Sequence, residues 1–203
     1  VMEYLRGKSL SENQAAINAY PLEWKLELFY RVLEAIAFLH QKGFAHRDLK
    51  PDNIVFRDPI SQYQPPQPVL IDFALTTDGK DERELVDNSY TIGYASRERI
   101  LRSMGIDDVP PVDVLSEDVW SLGVILYEII TGQILFKGNK EKIRTTIIRD
   151  ALNIALPDDD ERYEILTDFV HNMLHRNPEK RPPVKAILYA LEEKFLPPRI
   201  IAQ

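Results

Sequence analysis

Apolar residues recur along this chain at helical spacing in some stretches and bunch into short runs in others. Leu26, Phe29, Leu33, Ile36 and Ala37 fall three or four residues apart, which predicts an amphipathic helix, and Gly43 supplies a stop signal just beyond it. Two short runs, Ile54-Val55-Phe56 and Val69-Leu70-Ile71, flank a segment containing Pro59, Pro65, Pro66 and Pro68. They predict a pair of short strands forming a hairpin with an unusually long tip. The tip reads as a solvated insertion rather than a docking site, because loops tolerate inserted residues. From Thr76 to Asp113 the pattern lapses into charges and turn residues, which predicts a long ordered or switchable loop.

Order returns at Ser116, an N-cap residue followed by Glu117 and Asp118, whose charges suit the positive end of a helix dipole. The helix it predicts runs to Ile130 and is apolar nearly all round (Val119, Trp120, Leu122, Val124, Ile125, Leu126, Ile129), with Gly132 as its terminator. A helix with no polar face belongs at the centre of a domain. Further helices are predicted over Lys140 to Asn153, Tyr163 to Leu174 and Val184 to Phe195. In the last, Val184, Ile187, Leu188, Leu191 and Phe195 make one stripe. No internal repeat is visible.

Composition narrows this picture. A chain of 203 residues suffices for one well-buried core, and its 44% apolar and 28% charged residues are ordinary for a soluble domain. The net charge of −7, from 25 basic against 32 acidic side chains, argues against nucleic acid as a partner, which needs a basic surface. Without cysteine there is no disulfide framework and no thiolate metal site. Val1-Met2-Glu3-Tyr4 is no secretory signal, and the most apolar stretch, Val119 to Ile130, carries Glu128 and is too short to cross a bilayer. The expectation is a cytoplasmic domain with no membrane contact of its own, though a longer parent protein could carry an anchor.

The candidate chemistry lies in ordered motifs. His46-Arg47-Asp48-Leu49-Lys50-Pro51-Asp52-Asn53, directly before the first short strand, resembles the catalytic loop of eukaryotic-type protein kinases. The resemblance implies that Asp48 accepts the proton of a substrate hydroxyl, that Lys50 places a positive charge beside the transferring phosphoryl group, and that Asn53 offers an oxygen to Mg2+. Asp72-Phe73-Ala74, directly after the second strand, is similar to the family's metal-binding triplet, which makes Asp72 the bridge between Mg2+ and the phosphates of ATP. Its third residue is alanine where the family has glycine. Were a positive φ required there, the β-carbon would cost about 1–2 kcal/mol.

Thr91-Ile92-Gly93-Tyr94-Ala95-Ser96-Arg97-Glu98 resembles the segment that receives the substrate peptide in serine/threonine kinases. By that resemblance Thr91 bonds across to Asp48 and Lys50, and Glu98 pairs with Arg181. Ser96-Arg97 stands where the family has Ala-Pro. Asp118 would hold the backbone of the catalytic loop. Val1-Met2-Glu3-Tyr4-Leu5 resembles the interlobe linker, which implies that the backbone at Glu3 and Leu5 grips adenine. Arg47 resembles a partner for a phosphorylated loop, with Thr76, Thr77 and Ser89 as candidate acceptors, while Asp78, Asp81, Glu82, Glu84 and Asp87 could supply negative charge instead. His171 and His175 lie one helical turn apart, but no third ligand accompanies them, so a metal site is disfavoured.

The fold expectation is mainly α: the C-terminal lobe of a protein kinase over residues 1–203, a helical bundle around a central buried helix, with a short β-hairpin carrying the catalytic and metal-binding loops. Residues 1–7 would be the interlobe hinge and 72–98 the activation segment. The glycine-rich loop, strand lysine and helix glutamate of the family have no counterpart here, so the N-terminal lobe is expected in a longer parent chain, without which this lobe would be inactive. The implied activity is transfer of the γ-phosphoryl of ATP to serine or threonine in a protein substrate. A catalytically weak pseudokinase scaffold is the alternative, suggested by Ala74 and Ser96-Arg97. A small-molecule phosphotransferase and a tyrosine kinase fit less well.

Overall fold

The apolar stripes become packed helices, with the most hydrophobic one at the centre. The structure, a computed structural model, describes residues 3–80, 89–106, 113–149, 152, 154–157 and 160–196. Its elements are α1 (Leu10–Asn18), α2 (Leu22–Gln41), β1 (Ile54–Phe56), β2 (Pro68–Leu70), α3 (Arg97–Ser103), α4 (Val114–Thr131), α5 (Lys140–Arg149), α6 (Arg162–Met173) and α7 (Val184–Phe195). In α4 the side chains of Trp120, Leu122, Val124, Ile125, Leu126 and Ile129 are all fully enclosed. Helices α1, α2 and α6 pack on it, while α7 packs on α2. This is the expected architecture, a helical bundle around one buried helix. Burying each such side chain contributes about 1.5–3 kcal/mol, so the all-apolar helix goes where it loses the most water contact.

Several elements differ from the sequence expectation. Helix α4 begins at Val114, capped by the Asp113 carboxylate, which accepts from the Leu115 amide at 3.0 Å, so Ser116 lies inside the first turn. Helix α3 falls inside the stretch expected to be a loop. Ser96 caps it by accepting from the Arg99 amide, and Ile100 and Leu101 are buried. Helix α5 ends at Arg149; Asp150, Ala151 and Asn153 lie outside the described residues. Helix α7 has the expected bounds, α6 starts and ends one residue early, and Gly132 terminates α4 with φ of 68°.

The hairpin is antiparallel, with Ile54 opposite Leu70, Val55 opposite Val69 and Phe56 opposite Pro68. The second strand is therefore set one residue earlier than its apolar run suggested, yet Ile71 still donates its amide to the Asn53 carbonyl at 3.0 Å. The proline-rich tip is not freely solvated along its whole length. The Trp24 indole N–H donates to the carbonyls of Ser61 and Gln64 at 3.1 and 2.9 Å, drawing the tip onto α2. A buried indole needs an acceptor, and the tip supplies two. Among the described residues, no helix is long and apolar enough to cross a membrane.

Candidate active site

The first turn of α4 organises the loop that precedes β1. Asp118 is fully buried, and its carboxylate accepts the amide of His46 at 2.8 Å, the amide of Arg47 at 2.8 Å and a bond from His40 Nε2 at 2.8 Å. A buried carboxylate is tolerated when several donors meet it, and here two of them are backbone groups of the loop it anchors. Arg47 adopts φ of 65°, a left-handed conformation that L-residues avoid; the two bonds from Asp118 hold it there. His46 continues the scaffold by contacting the Ile71 carbonyl at 3.1 Å, and its ring lies 5.1 Å from that of Phe73.

Next in the loop come the expected site residues. Lys50 Nζ stands 2.6 Å from Asp48 Oδ2 and 3.3 Å from the Thr91 hydroxyl. Asn53 Nδ2 donates to the Asp48 carbonyl at 2.8 Å and to Asp48 Oδ2 at 3.0 Å. Asp48, Lys50, Asn53 and Thr91, spread over more than forty positions, thus form one hydrogen-bonded group. Thr91 reaches Lys50, the second of its two expected partners. Asp72 follows one residue after the Ile71–Asn53 backbone bond, so the strand pairing brings it alongside the same loop. It too has a left-handed backbone, with φ of 62°, and its exposed carboxylate meets only the Ala74 amide, at 3.4 Å, among the described residues.

The positive φ considered for Ala74 is found instead at Asp72, since Ala74 is not among the described non-glycine residues with positive φ. Alanine therefore carries no left-handed penalty in this conformation. The Ser96-Arg97 pair is likewise accommodated: Ser96 caps α3, and Arg97 Nε donates to the Ile148 carbonyl at 3.2 Å. Glu98 and Arg181 form a bidentate buried pair at 2.6 and 2.8 Å. Arg181 also donates to the Ser116 carbonyl at 2.9 Å and lies 5.1 Å from the centre of the Trp120 ring.

The surroundings of Arg47 hold residues that the sequence reading assigned elsewhere. Its Nε donates to Glu117 Oε2 at 3.2 Å, with both side chains buried. Arg102 Nη2 reaches the other oxygen of Glu117, and Arg99 Nη1 donates to the Arg47 carbonyl. Burial pulls the Arg99 guanidinium below its ordinary pKa, with Glu117 opposing the shift. Glu117, expected to serve only the helix dipole, is thus a buried anion shared among arginines. A glutamate on an otherwise apolar helix was the available signal. Of the loop hydroxyls, Thr77 is buried and its backbone bridges to Ala45, Ser89 is exposed, and Asp78 pairs with Lys80. Asp81, Glu82, Glu84 and Asp87 lie outside the described residues.

Tyr94 ties the Thr91 segment to α4. Its hydroxyl donates to Glu128 Oε2 at 2.8 Å, and its carbonyl accepts from the Ser121 hydroxyl at 2.8 Å. Burial pushes both the Tyr94 phenol and the Glu128 carboxyl up from their ordinary values. At the start of the chain, Arg6 and Gly7 donate to the carbonyls of Arg57 and Phe56, so this segment lies along β1 as an edge. A β-carbon at Gly7 would come within 2.4 Å of the Phe56 carbonyl oxygen, which only glycine permits. Just before it, Leu5 is half-buried, and the exposed side chain of Glu3 pairs with Arg57 at 3.1 Å. Val1 and Met2 lie outside the described residues.

These residues suit a magnesium ion. Mg2+ prefers hard oxygens, keeps several waters and takes one or two side chains beside substrate phosphates. Asp72 offers an exposed carboxylate. Asn53, whose nitrogen is committed to Asp48, has its amide oxygen as the acceptor left to coordinate.

Comparison with known proteins places this architecture in a family. The chain belongs to the protein kinase domain family, whose pattern matches residues 1–194. It is 33% identical over 192 residues to calcium-dependent protein kinase 21 of Oryza sativa, covering 93% of this chain and 31% of that protein. It is 32% identical over 150 residues to the serine/threonine-protein kinase AtPK1/AtPK6 of Arabidopsis thaliana, covering 74% and 28%. With the mouse sperm motility kinase 3A the identity is 30% over 189 residues, covering 93% and 34%. The chain thus spans about a third or less of each of these relatives.

Proposed function

We propose that this chain is the C-terminal lobe of a protein serine/threonine kinase and transfers the γ-phosphoryl of ATP to serine or threonine hydroxyls of a protein substrate. The observation that carries the reading is the bonded group of Asp48, Lys50, Asn53 and Thr91, held by the buried Asp118. In this reading Asp48 orients the substrate hydroxyl and accepts its proton as the oxygen forms its bond to the γ-phosphorus. The bond from that phosphorus to the bridging oxygen breaks, and ADP leaves with the electron pair. Lys50, already between Asp48 and Thr91, offers positive charge to the transferring group. Asn53 and Asp72 hold Mg2+, which when bound neutralises phosphate charge.

The backbone at Glu3 and Leu5 contacts adenine, and residues 1–7 act as the hinge to an N-terminal lobe that completes the nucleotide pocket. Residues 72–98 serve as the activation segment. The names of the relatives support the serine/threonine branch, as does Lys50 beside Asp48. A cytoplasmic setting, where ATP is abundant, suits a chain without cysteine. The test is phosphate transfer from ATP by the full-length protein and its Asp48→Asn variant. Loss of a general base predicts a drop of about 10²–10⁴-fold in rate. Equal transfer by both proteins would refute the assignment.

A further inference from the structure

Beside the Thr91 hydroxyl lies a groove of about 520 Å³ that the proposed chemistry does not use. It is lined by Tyr90, Thr91, Ile92 and Met104, together with Lys140 and Arg144 from the first two turns of α5. Tyr90 is fixed by a 2.7 Å bond between its hydroxyl and that of Ser103, so this wall is braced. The cations face a site with unused donors. Lys140 is exposed and has no ion pair among the described residues, and Arg144 Nε is buried without a hydrogen-bond partner among them. Among the described residues, the acid paired with them is Glu141, which is 75% exposed and takes a single nitrogen of Arg144, at 3.1 Å. The three groups together leave a surplus of positive charge.

The geometry points to a specificity pocket for an anionic side chain, a carboxylate or a phosphate, borne by the substrate peptide close to its acceptor hydroxyl. This inference rests on the kinase reading above, because Thr91 links the groove to Lys50 and, through it, to Asp48. An extended peptide advances about 3.3 Å per residue, so an acceptor oxygen at Asp48 puts its near neighbours over Thr91 and the groove. The whole chain carries a charge of −7, which would repel an acidic peptide from afar. Screening limits that repulsion to about 8 Å at physiological salt, whereas an anion in the groove contacts the two cations directly. The local term wins. Tyr90, Ile92 and Met104 add an apolar lining that limits water around the pair.

The test is the ratio of kcat/KM values for four serine peptides that differ only in the residues flanking the acceptor: glutamate, phosphoserine, alanine or lysine. Each is assayed with the full-length protein. The expected preference for glutamate over lysine is about 5- to 20-fold, the size of two partly exposed ion pairs, and the phosphoserine peptide should be preferred at least as strongly. In the Lys140→Glu/Arg144→Glu double variant the order should reverse. Lys140→Glu alone, at an exposed position, should shift it part of the way. Phosphorylation of all four peptides at similar kcat/KM, or a preference unaltered by the double variant, would overturn the pocket while leaving the kinase reading intact. No transfer to any peptide, with ATP left unconsumed, would overturn both.

Discussion

The two halves of the candidate site are built in opposite ways. In the loop at residues 46–53, polar groups are committed inward: His46 and Arg47 to Asp118, Arg47 to Glu117, Asn53 and Lys50 to Asp48. In the turn at residues 72–74, Asp72 and Ala74 are exposed, Phe73 is 51% exposed, and the Asp72 carboxylate touches only its own turn among the described residues. Both halves contain one left-handed residue, Arg47 and Asp72. The first is braced by buried charge, the second only through the neighbouring strand bond of Ile71. One half is a fixed template; the other offers its charge outward, to a ligand. Strain at a functional site persists where surrounding structure overdetermines it, and here that holds for the loop far more than for the turn.

That contrast can be broken by substitution, starting with the largest effect. Glu98→Ala leaves the Arg181 guanidinium buried without its carboxylate and should cost about 3–5 kcal/mol, read as a fall in the midpoint of urea unfolding. Asp118→Asn keeps the shape of the anchor and removes its charge. Weaker bonds to His46 and Arg47 should cost about 1.5–3 kcal/mol by the same measurement, and phosphate transfer should fall with it. Asp72→Asn, in the outward-facing turn, should change stability by no more than about 0.5 kcal/mol while abolishing magnesium-dependent nucleotide binding, seen by calorimetry of the full-length protein. A loss of stability at Asp72 equal to that at Asp118 would erase the distinction between the halves.

A pH titration sharpens it further. Burial raises the Glu128 pKa, with the Tyr94 bond opposing, so the folded chain prefers the protonated acid. Relative to a Glu128→Gln variant, the native protein should be most favoured below the ordinary glutamate pKa. It should lose that advantage as pH rises through the elevated one, and melting temperatures of the two proteins across that range check the sign. A flat difference would mean that Glu128 is charged and fully compensated throughout.

The legibility of the sequence followed the same division. Helices α2, α4 and α7 could be read because long apolar stripes declare their period, and α4 declared its central place by having no polar face. Helix α3 could not. It is seven residues long, and what holds Glu98 and Arg99 inside is pairing with Arg181 and with the Arg47 carbonyl, partners far away in sequence. The anchoring of the tip between the strands was hidden for the same reason, since Trp24 reaches it across some forty residues. The motifs singled out Asp48, Lys50, Asn53, Asp72 and Thr91 as candidates, and all but Asp72 meet in one hydrogen-bonded group. Glu117, caged among arginines, was not, because a charge early in a helix reads as a surface cap until its burial is known. Ala74 looked like a defect only while the left-handed residue of its turn was placed two positions too late.

The central claim is that Asp48, Asn53 and Asp72 serve a single magnesium–phosphate centre. A crystal structure of the full-length protein with Mg2+ and a non-hydrolysable ATP analogue tests it most directly. The account predicts a metal at about 2.0–2.1 Å from a carboxylate oxygen of Asp72 and from the amide oxygen of Asn53, with the γ-phosphate facing Asp48. A nucleotide bound with its metal ligated by neither Asp72 nor Asn53 would contradict it.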